Sequence, residues 1–130
     1  EKDVKYAEAE ACLLDTYRVE NGGEKYPVLF YIHGGGFVAG DKHYRRAHSR
    51  WLANQGYFVV NVNYGLCPDY KFPEPLRHLV YALNWVGENA EKYNLANCLW
   101  AIYPAFNNGA FTFTIMNVAT GKYGSIQRYI

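Results

Sequence analysis

The apolar positions of the chain fall into three continuous runs, and each run predicts a strand. Residues 28–32 and 59–62 are almost entirely apolar, and residues 98–103 form a third run that we expect Pro104 to end. Continuous runs are typical of strands that are covered on both faces, whereas alternating runs have one face in solvent. We therefore predict that the three segments are adjacent strands in the core of one sheet.

The segments between these runs carry apolar residues at helical spacing. Asp41 is a good N-cap residue, residues 44–55 show helical spacing, and Gly56 is a typical residue after a helix end. Residues 76–93 carry a second apolar stripe, and Asn94 is a suitable stop. This stripe consists of Leu76, Leu79, Val80, Leu83, Val86, Ala90 and Tyr93. Strands that alternate with amphipathic helices predict the α/β fold class, with helices flanking a parallel or mixed sheet.

The segments around this core have weaker patterns. Residues 11–19 are predicted to form a strand anchored by Leu13 and Leu14. The charged residues 1–10 before it are expected to be a loose leader or to approach a sheet edge. Residues 65–75 contain three prolines and are predicted to lack regular structure, with the last proline in the first turn of the following helix.

The pattern changes towards the end of the chain. Residues 106–110 are expected to form a turn, and residues 111–118 alternate between Phe or Ile and Thr, which predicts a strand. Residues 121–130 are polar and unpatterned, so we expect them to fray. The chain is thus predicted to be a single, partial domain, 1–130, with a divergent tail over residues 104–130.

Length and composition place the chain among globular proteins. It has 130 residues, 50% hydrophobic and 19% charged, and no run of about 20 apolar residues that could span a membrane. A formal net charge of +1 gives no overall field to attract nucleic acid, so no nucleic-acid partner is expected. Cys12, Cys67 and Cys98 are odd in number, which disfavours a disulfide framework and makes the cytoplasm the default. Because the first residue is Glu1 and not Met, removal of a leader or anchor stays open, and the localisation is unknown.

A glycine-rich segment follows the first core strand. His33-Gly34-Gly35-Gly36-Phe37, with Gly40 closing the segment, stands where strands of open α/β sheets meet their ligands. Glycines have no Cβ, so the backbone can turn sharply and approach a ligand closely. Main-chain N–H groups in such a loop can hold developing negative charge. The predicted chemistry is anion stabilisation.

A second motif follows the next predicted strand. Residues 57–76 read Tyr-Phe-Val-Val-Asn-Val-Asn-Tyr-Gly-Leu-Cys-Pro-Asp-Tyr-Lys-Phe-Pro-Glu-Pro-Leu. Together the two motifs resemble those of α/β-hydrolases of the hormone-sensitive-lipase type, whose second loop reads Tyr-Arg-Leu-Ala-Pro-Glu and later Phe-Pro-Ala-Pro-Leu. Gly65 stands in place of the usual Arg, and Cys67 in place of the usual Ala. The resemblance covers roughly residues 11–100 and implies an incomplete α/β-hydrolase-like sheet.

The resemblance implies a carboxylic-ester hydrolase of esterase or lipase type. By this resemblance the oxyanion donors are the N–H groups of Gly35 and Gly36. His33, Gly34 and Phe37 belong to the same motif, with His33 as a residue that braces the loop. The implied partner is a small-molecule ester or a hydrophobic ligand, and no cofactor is expected.

The nucleophile that this family uses is missing from its expected place. A nucleophile elbow reads Gly-x-Ser-x-Gly after a core strand, but residues 99–103 run into Pro104. The two serines are Ser49, within a helical pattern, and Ser125, in the tail, and no histidine follows His78. No catalytic residue is therefore identified, and the chain is expected to be inactive or truncated. The alternative is a non-catalytic small-molecule-binding module on the same fold.

Other interpretations of the sequence have less support. Residues 34–39 fit the Gly-x-Gly-x-x-Ala pattern of a dinucleotide loop, but the helical pattern starts too late and residues 61–63 lack the ribose-binding acid. The histidines have no ligand spacing, so no metal is expected. The basic residues from Lys42 to Arg50 are interpreted as a solvated helix face. A sheet without its remaining strands would have a free edge, through which self-association is expected.

Overall fold

The regular structure consists of strands and helices that alternate over most of the chain. The computed structural model describes the backbone of residues 1–107, 110–117 and 123–127, and the side chains of residues 1–102. The elements in chain order are β1 (Val4–Lys5), β2 (Leu13–Tyr17), β3 (Tyr26–Ile32), a 3₁₀ helix (Lys42–Arg45), α1 (Arg46–Asn54), β4 (Phe58–Val62), α2 (Glu74–Glu88), β5 (Leu95–Asn107), β6 (Ala110–Asn117) and β7 (Tyr123–Gln127). The predicted α/β fold class is confirmed.

The strands form one mixed sheet in the order β1-β2-β4-β3-β5-β6-β7. Its centre, β4-β3-β5, is parallel, and Phe30 of β3 lies between Val60 of β4 and Ala101 of β5. β2 and β6 flank this centre in antiparallel orientation. The prediction that the three apolar runs are adjacent core strands is confirmed.

Each central strand divides its side chains between two cores. In β3, Val28 and Phe30 pack in a cluster that also contains apolar residues of α2, whereas Leu29 and Tyr31 pack with Leu52 of α1. Successive side chains of a strand point to opposite faces of the sheet. A strand with a helix over each face therefore needs an apolar residue at nearly every position, which explains the continuous runs.

The helix predicted after Asp41 starts as the 3₁₀ helix and continues as α1 only from Arg46; it ends before Gly56 as predicted. Asp41 caps the 3₁₀ helix by accepting a hydrogen bond from the His43 N–H at 2.8 Å, and Gly56 has a φ of +104° after the helix end. Trp51 belongs to the residues at helical spacing in 44–55, but its side chain is exposed, and Ser49 is buried against the sheet instead.

α2 carries Pro75 in its first turn, as predicted, but ends at Glu88, short of residue 93. The predicted stripe is wrong for Leu76 and Val80, which are exposed. The polar side chain of His78 occupies a position facing the core instead. The buried residues of the helix are Pro75, His78, Ala82 and Val86.

The end of the chain extends the sheet. β5 continues to Asn107, so the prediction that Pro104 ends this strand was wrong. β5 pairs with β3 only as far as Ile102, and a proline is tolerated where one side of a strand has no ladder partner. β6 confirms the strand predicted for residues 111–118, whereas fraying was the wrong expectation for β7, which pairs with β6. The turn was predicted over residues 106–110; residues 106, 107 and 110 belong to β5 and β6 instead, and residues 108 and 109 lie outside the described residues.

Two loops come together at one edge of the sheet. Because β3 and β4 are parallel neighbours, their carboxyl ends are adjacent. We call residues 33–41, which follow β3, the glycine loop, and residues 63–73, which follow β4, the proline loop. Neither contains a strand or helix. None of the helices in the described ranges has the length and apolarity to cross a membrane.

Candidate functional site

The glycine loop follows a path that requires glycine at two positions. Gly35 has a φ of +136°, and a Cβ built on it would lie 1.9 Å from the Ala39 carbonyl oxygen. Gly40 has a φ of +110°, and its Cβ would lie 2.2 Å from the Gly34 carbonyl oxygen. Gly36 also has a positive φ, +64°, but a Cβ there would meet no atom within 4 Å. Larger residues are therefore excluded at Gly35 and Gly40 by contact, and only disfavoured at Gly36 by backbone strain.

Hydrogen bonds in the glycine loop fix the direction of two amide groups. The Gly34 carbonyl accepts from His33 Nδ1 at 2.9 Å, and the Gly35 carbonyl accepts from the Ala39 N–H at 3.2 Å. In a trans peptide unit the C=O and the following N–H point in opposite directions. The N–H groups of Gly35 and Gly36 therefore point away from these bonds, and neither donates to an atom of the described residues. Both residues are exposed, so two neighbouring donors face solvent.

Tyr64 holds the start of the glycine loop. Its ring stacks on the His33 imidazole, with centroids 4.5 Å apart and 13° between the planes, and its hydroxyl donates to the His33 carbonyl. Burial raises the pKa of Tyr64 to about 12, so the hydroxyl keeps its proton. His33 is 6% exposed, and burial lowers its pKa, so the ring is neutral. Because the Gly34 carbonyl can only accept, the His33 proton lies on Nδ1.

The proline loop lies against the glycine loop. The Cys67 N–H donates to the Phe37 carbonyl at 2.8 Å. Gly65, which replaces the usual Arg, donates its N–H to His78 Nδ1 at 2.9 Å. A Cβ on Gly65 would lie 2.4 Å from Tyr70 Cγ, so a larger residue does not fit in this packing.

Asn63 joins the two loops at their base. Its Nδ2 donates to Asp41 Oδ2 at 3.1 Å, and its Oδ1 accepts from the Lys42 N–H at 2.7 Å. The Asn63 N–H donates to the Leu13 carbonyl at 2.8 Å, and the Asn63 carbonyl accepts from the Tyr6 hydroxyl. Since Asn63 directly follows β4 and Asp41 is the last residue of the glycine loop, this side chain fixes the spacing between the two loops.

A buried ion pair lies beside Asn63. Lys42 Nζ lies 2.9 Å from Asp15 Oδ1 and 2.8 Å from Asp3 Oδ1, and the Lys42 and Asp15 side chains are 1% and 0% exposed. Burial alone would lower the pKa of Lys42, but the hydrogen bonds to the two carboxylates outweigh it and raise the pKa. Lys42 is therefore charged, and its ammonium group connects β2 and the N-terminal segment to the end of the glycine loop.

The comparison with known families decides which protein family has these two loops. A family model described as BD-FAE matches residues 14–105, a range that contains both of them. The chain belongs to this α/β-hydrolase family. The α/β-hydrolase membership predicted from the two motifs is confirmed.

Individual relatives of this α/β-hydrolase are longer proteins. A putative α/β hydrolase of Acanthamoeba polyphaga mimivirus is 35% identical over 82 residues, 60% of this chain and 23% of the relative. Tuliposide A-converting enzyme 2 of Tulipa gesneriana is 37% identical over 71 residues, 52% of this chain and 19% of that enzyme. The chain thus spans about a fifth of these curated relatives.

Solved esterases share the fold of this α/β-hydrolase. The hyperthermophilic esterase from Pyrobaculum calidifontis has a TM-score of 0.66 at 34% identity, over 72% of this chain and 31% of that one. Esterase B from Lactobacillus rhamnosis has a TM-score of 0.74 at 24% identity, over 81% of this chain and 35% of that one, which shows the fold alone. The chain spans about a third of these structures.

The motifs of the α/β-hydrolase located the glycine loop but not the side chains that brace it. Lys42 was predicted on a solvated helix face, which is wrong because it is buried in its pair with Asp15. Asp15 is the single charged residue of the strand Leu13–Tyr17, and this was the signal that could have found it. Tyr64 and Asn63 stand inside the second motif, yet only their contacts with the glycine loop show what they do.

Three other kinds of site, a serine nucleophile, a metal site and a dinucleotide loop, can be compared with the described part of the chain. Ser49 is buried, and its hydroxyl lies 2.9 Å from both the Arg45 carbonyl and Asn61 Oδ1, so a substrate cannot reach it. The Ser125 side chain lies outside the described residues. No group of His, Cys, Asp and Glu in the described ranges is arranged to hold a metal. The 3₁₀ helix begins only at Lys42, so no helix starts within the glycines as a dinucleotide loop requires.

The buried histidines predict that the α/β-hydrolase loses stability in mild acid. Burial lowers the pKa of His33 and of His78, whereas the same residues titrate near 6.5 in the unfolded chain. Between the two pKa values the unfolded chain binds more protons, so acid favours unfolding. The stabilisation is present above about pH 6.5 and is lost as the pH falls towards the folded pKa, by at most about 1.4 kcal/mol per pH unit for each proton.

Urea unfolding at several pH values between about 7.5 and 5.5 measures this loss. We expect the free energy of unfolding to fall with pH, and to fall less steeply in His33→Gln and in His78→Gln than in the parent chain. A slope that both variants leave unchanged would show that other groups cause the pH dependence.

Proposed function

We propose that this chain forms the oxyanion-stabilising part of a carboxylic-ester hydrolase, with the N–H groups of Gly35 and Gly36 as donors. The proposal rests on one observation: these two N–H groups donate to no atom of the described residues, while the carbonyls of their peptide units are held by His33 and Ala39. The reaction class is supported by the structure that is described as a hyperthermophilic esterase from Pyrobaculum calidifontis and is 34% identical to this chain.

The proposed role depends on the step of ester hydrolysis at which negative charge appears on the carbonyl oxygen. An ester carbonyl becomes a tetrahedral oxyanion only after a nucleophile has attacked it. Donors that are fixed before the reaction stabilise this oxyanion without having to reorganise. The positions of Gly35 and Gly40 leave the loop little freedom, and Tyr64 anchors its start. In enzymes of this kind the loss of one donor lowers kcat by about 10²–10³-fold.

The surface beside the donors favours an apolar ligand. Phe37 and Val38 are 46% and 65% exposed, next to the free N–H groups. An ester with an apolar acyl or alcohol group would cover this surface, at about 25 cal/mol per Å² of apolar area removed from water. The same surface would serve the alternative function, a non-catalytic module that binds a small hydrophobic molecule and leaves it intact.

The chain on its own is proposed to lack a working nucleophile. Ser49 is buried, and β5 continues through Pro104 where a nucleophile elbow would turn. Oxyanion donors and binding alone can leave about 10³–10⁴-fold acceleration over water, far below an enzyme with a complete triad.

We therefore expect feeble hydrolysis of p-nitrophenyl acetate by the isolated chain, and no covalent capture by a fluorophosphonate probe. Intact mass measured after incubation with the probe checks the second point, with Ser49→Ala and Ser125→Ala as matched controls. One probe per chain, lost in either control, would identify a reactive serine and contradict the proposal of inactivity.

The oxyanion role is tested by ¹⁵N–¹H NMR during titration with methylphosphonate, a tetrahedral anion. We expect the largest shifts at the amides of Gly35 and Gly36. Unchanged shifts at both amides would remove the support for the oxyanion role. Saturable binding of an intact ester without turnover would instead favour the binding module.

A further inference from the structure

A second concave site lies between α2 and residues 6–12, which join β1 to β2. It is a cleft of about 580 Å³, a volume within the range of small-molecule sites. The buried side chains of His78 and Cys12 line it, and so does Tyr81, which is 44% exposed. No residue of the glycine loop is part of its lining, so the cleft is separate from the proposed oxyanion site.

His78 turns one edge of its ring towards this cleft. Its Nδ1 accepts from the Gly65 N–H at 2.9 Å, and a Cβ built on Gly65 would lie 2.8 Å from His78 Cε1, so that edge faces the proline loop. The ring edge that lines the cleft is therefore the one with Nε2. Among the described residues, the shielded side-chain atoms without a hydrogen bond are Asp15 Oδ2 and the Tyr17 hydroxyl. Nε2 makes no hydrogen bond with the described residues and is not one of these shielded atoms, so it is open to the cleft.

The Nε2 atom carries a proton that has no acceptor in the described part of the chain. Because Nδ1 accepts a hydrogen bond, the proton of the neutral ring lies on Nε2. Burial lowers the pKa of His78 although the Glu74 carboxylate opposes this change, so the ring is neutral near pH 7. Nearly all buried polar groups in native proteins are paired, so this N–H group indicates an acceptor that binds in the cleft.

Glu74 places a second polar atom at a distance that suits one bridging group. Its Oε2 lies 3.9 Å from His78 Nε2, which is too far for a hydrogen bond between them. The other oxygen of this carboxylate accepts from Arg77 Nη1 at 2.6 Å, whereas Oε2 makes no hydrogen bond with the described residues. A hydroxyl group can accept from one atom and donate to another at the same time. The two atoms therefore fit the hydroxyl of a ligand.

The charge of the cleft favours a cation. Glu8, Glu74 and Glu88 line it, and the described part of the chain contributes no lysine or arginine to its lining. The carboxylates of Glu8 and Glu88 make no ion pair with the described residues. The Tyr81 ring, whose centroid lies 6.3 Å from that of His78, offers an exposed aromatic face, and such faces attract ammonium groups.

We infer that this cleft binds a small amino alcohol, whose hydroxyl bridges His78 Nε2 and Glu74 Oε2 and whose ammonium group lies on the Tyr81 ring. A simple amine would leave the His78 N–H unpaired, because an ammonium group has donors only. A neutral alcohol would leave the acidic wall without a counter-charge. Ala7 and Ala9 form an apolar part of the wall, on which the carbon atoms of the ligand can pack. The site does not depend on the role proposed for the glycine loop.

NMR titration with three matched probes, at neutral pH and constant ionic strength, tests the site. The probes are phenylethanolamine, phenethylamine, which lacks the hydroxyl, and styrene glycol, which lacks the ammonium group. For phenylethanolamine we expect saturable binding with a Kd of about 1 mM, with shifts at residues 6–9 and 74–84 and at His78 Nε2. Phenethylamine should bind at least about threefold more weakly and leave the Nε2 signal unchanged. Styrene glycol should also bind at least about threefold more weakly.

Two residues of α2 are also changed in turn. Glu74→Gln should weaken the binding of phenylethanolamine about tenfold, because it removes a charged acceptor, and Tyr81→Leu should weaken it about threefold. Glu91→Gln and Tyr44→Leu make the same substitutions at exposed positions outside the cleft, so these matched controls should bind as the parent does. Neither Glu74 nor Tyr81 is buried, so their variants should fold like the parent, as circular dichroism would show.

Equal binding of phenylethanolamine and phenethylamine would overturn the proposal and leave water as the partner of His78. Equal binding of styrene glycol would show that the acidic wall selects no cation, which would also overturn it. The same conclusion would follow from binding that Glu74→Gln and Tyr81→Leu both retain, from equal losses in the two control variants, or from titrations that do not saturate.

Discussion

Alanine at Gly35 is expected to abolish the anion-binding geometry of the glycine loop, whereas alanine at Gly36 should largely preserve it. At Gly35 the new Cβ would lie 1.9 Å from a backbone carbonyl oxygen, so the main chain itself must move. At Gly36 the Cβ enters open space, and only the left-handed backbone costs energy, about 1–2 kcal/mol. The two variants differ by the same single methyl group, so a difference between them reports the shape of the loop.

The measurement is the methylphosphonate titration, together with urea unfolding of each variant. We expect no selective shift at the loop amides in Gly35→Ala, and a response within a few-fold of the parent in Gly36→Ala. Equal responses of the two variants would mean that the contact between Gly35 and Ala39 does not determine where the donors point.

Alanine at Lys42 should destabilise the fold by about 3–5 kcal/mol, because it leaves the Asp15 carboxylate buried without its cation. Asp3 loses the same partner, but its side chain is 61% exposed and water can replace the ammonium group. Urea unfolding near neutral pH measures the change. Lys25→Ala, at an exposed position, is the matched control and should stay within about 0.5 kcal/mol of the parent.

Replacing both charged residues tests whether the lost stability comes from the unpaired Asp15 carboxylate. In Lys42→Met combined with Asp15→Leu, no unpaired charge remains, so the double variant should recover much of the stability that Lys42→Ala loses. A Lys42→Ala variant as stable as Lys25→Ala would show that water reaches Asp15 and that the pair contributes little.

The centre of the sheet could be predicted from the sequence because its signal is local. A strand with helices on both faces has apolar residues at nearly every position. The continuous apolar runs at 28–32 and 59–62 therefore predict such strands without any knowledge of what they pair with. The same holds for the cap at Asp41 and the stop at Gly56, each determined by one or two residues.

The features that were missed depend on partners far along the chain. The pair of Lys42 with Asp3 joins residues 39 positions apart, and no local pattern distinguishes a lysine in such a pair from one on a solvated face. The continuation of β5 through Pro104 depends on pairing with β6, which follows it in the chain. The buried faces of α1 and α2 differ from the predicted faces for a similar reason, because Ser49 and His78 have polar partners elsewhere in the chain.

The candidate site was predicted only in part for the same reason. Three consecutive glycines indicate a loop with accessible N–H groups, but they do not indicate which of these groups are free. That depends on the bonds that His33 and Ala39 make to the carbonyls of Gly34 and Gly35. The motif predicted where the loop lies in the chain, and the hydrogen bonds of the structure show in which direction its N–H groups point.

The link that Asn63 makes between the two loops also decides when the glycine loop loses its conformational entropy. Ordering one residue costs about 1–2 kcal/mol. Because Asn63 and Cys67 tie this loop to the segment after β4, that entropy is lost when the sheet folds and not when a ligand arrives. The anion proposed to bind here would therefore meet donors that are already ordered. Its affinity would then depend on how firmly the two loops are held together, and a substitution of Asn63 would weaken binding by restoring conformational freedom to the glycine loop.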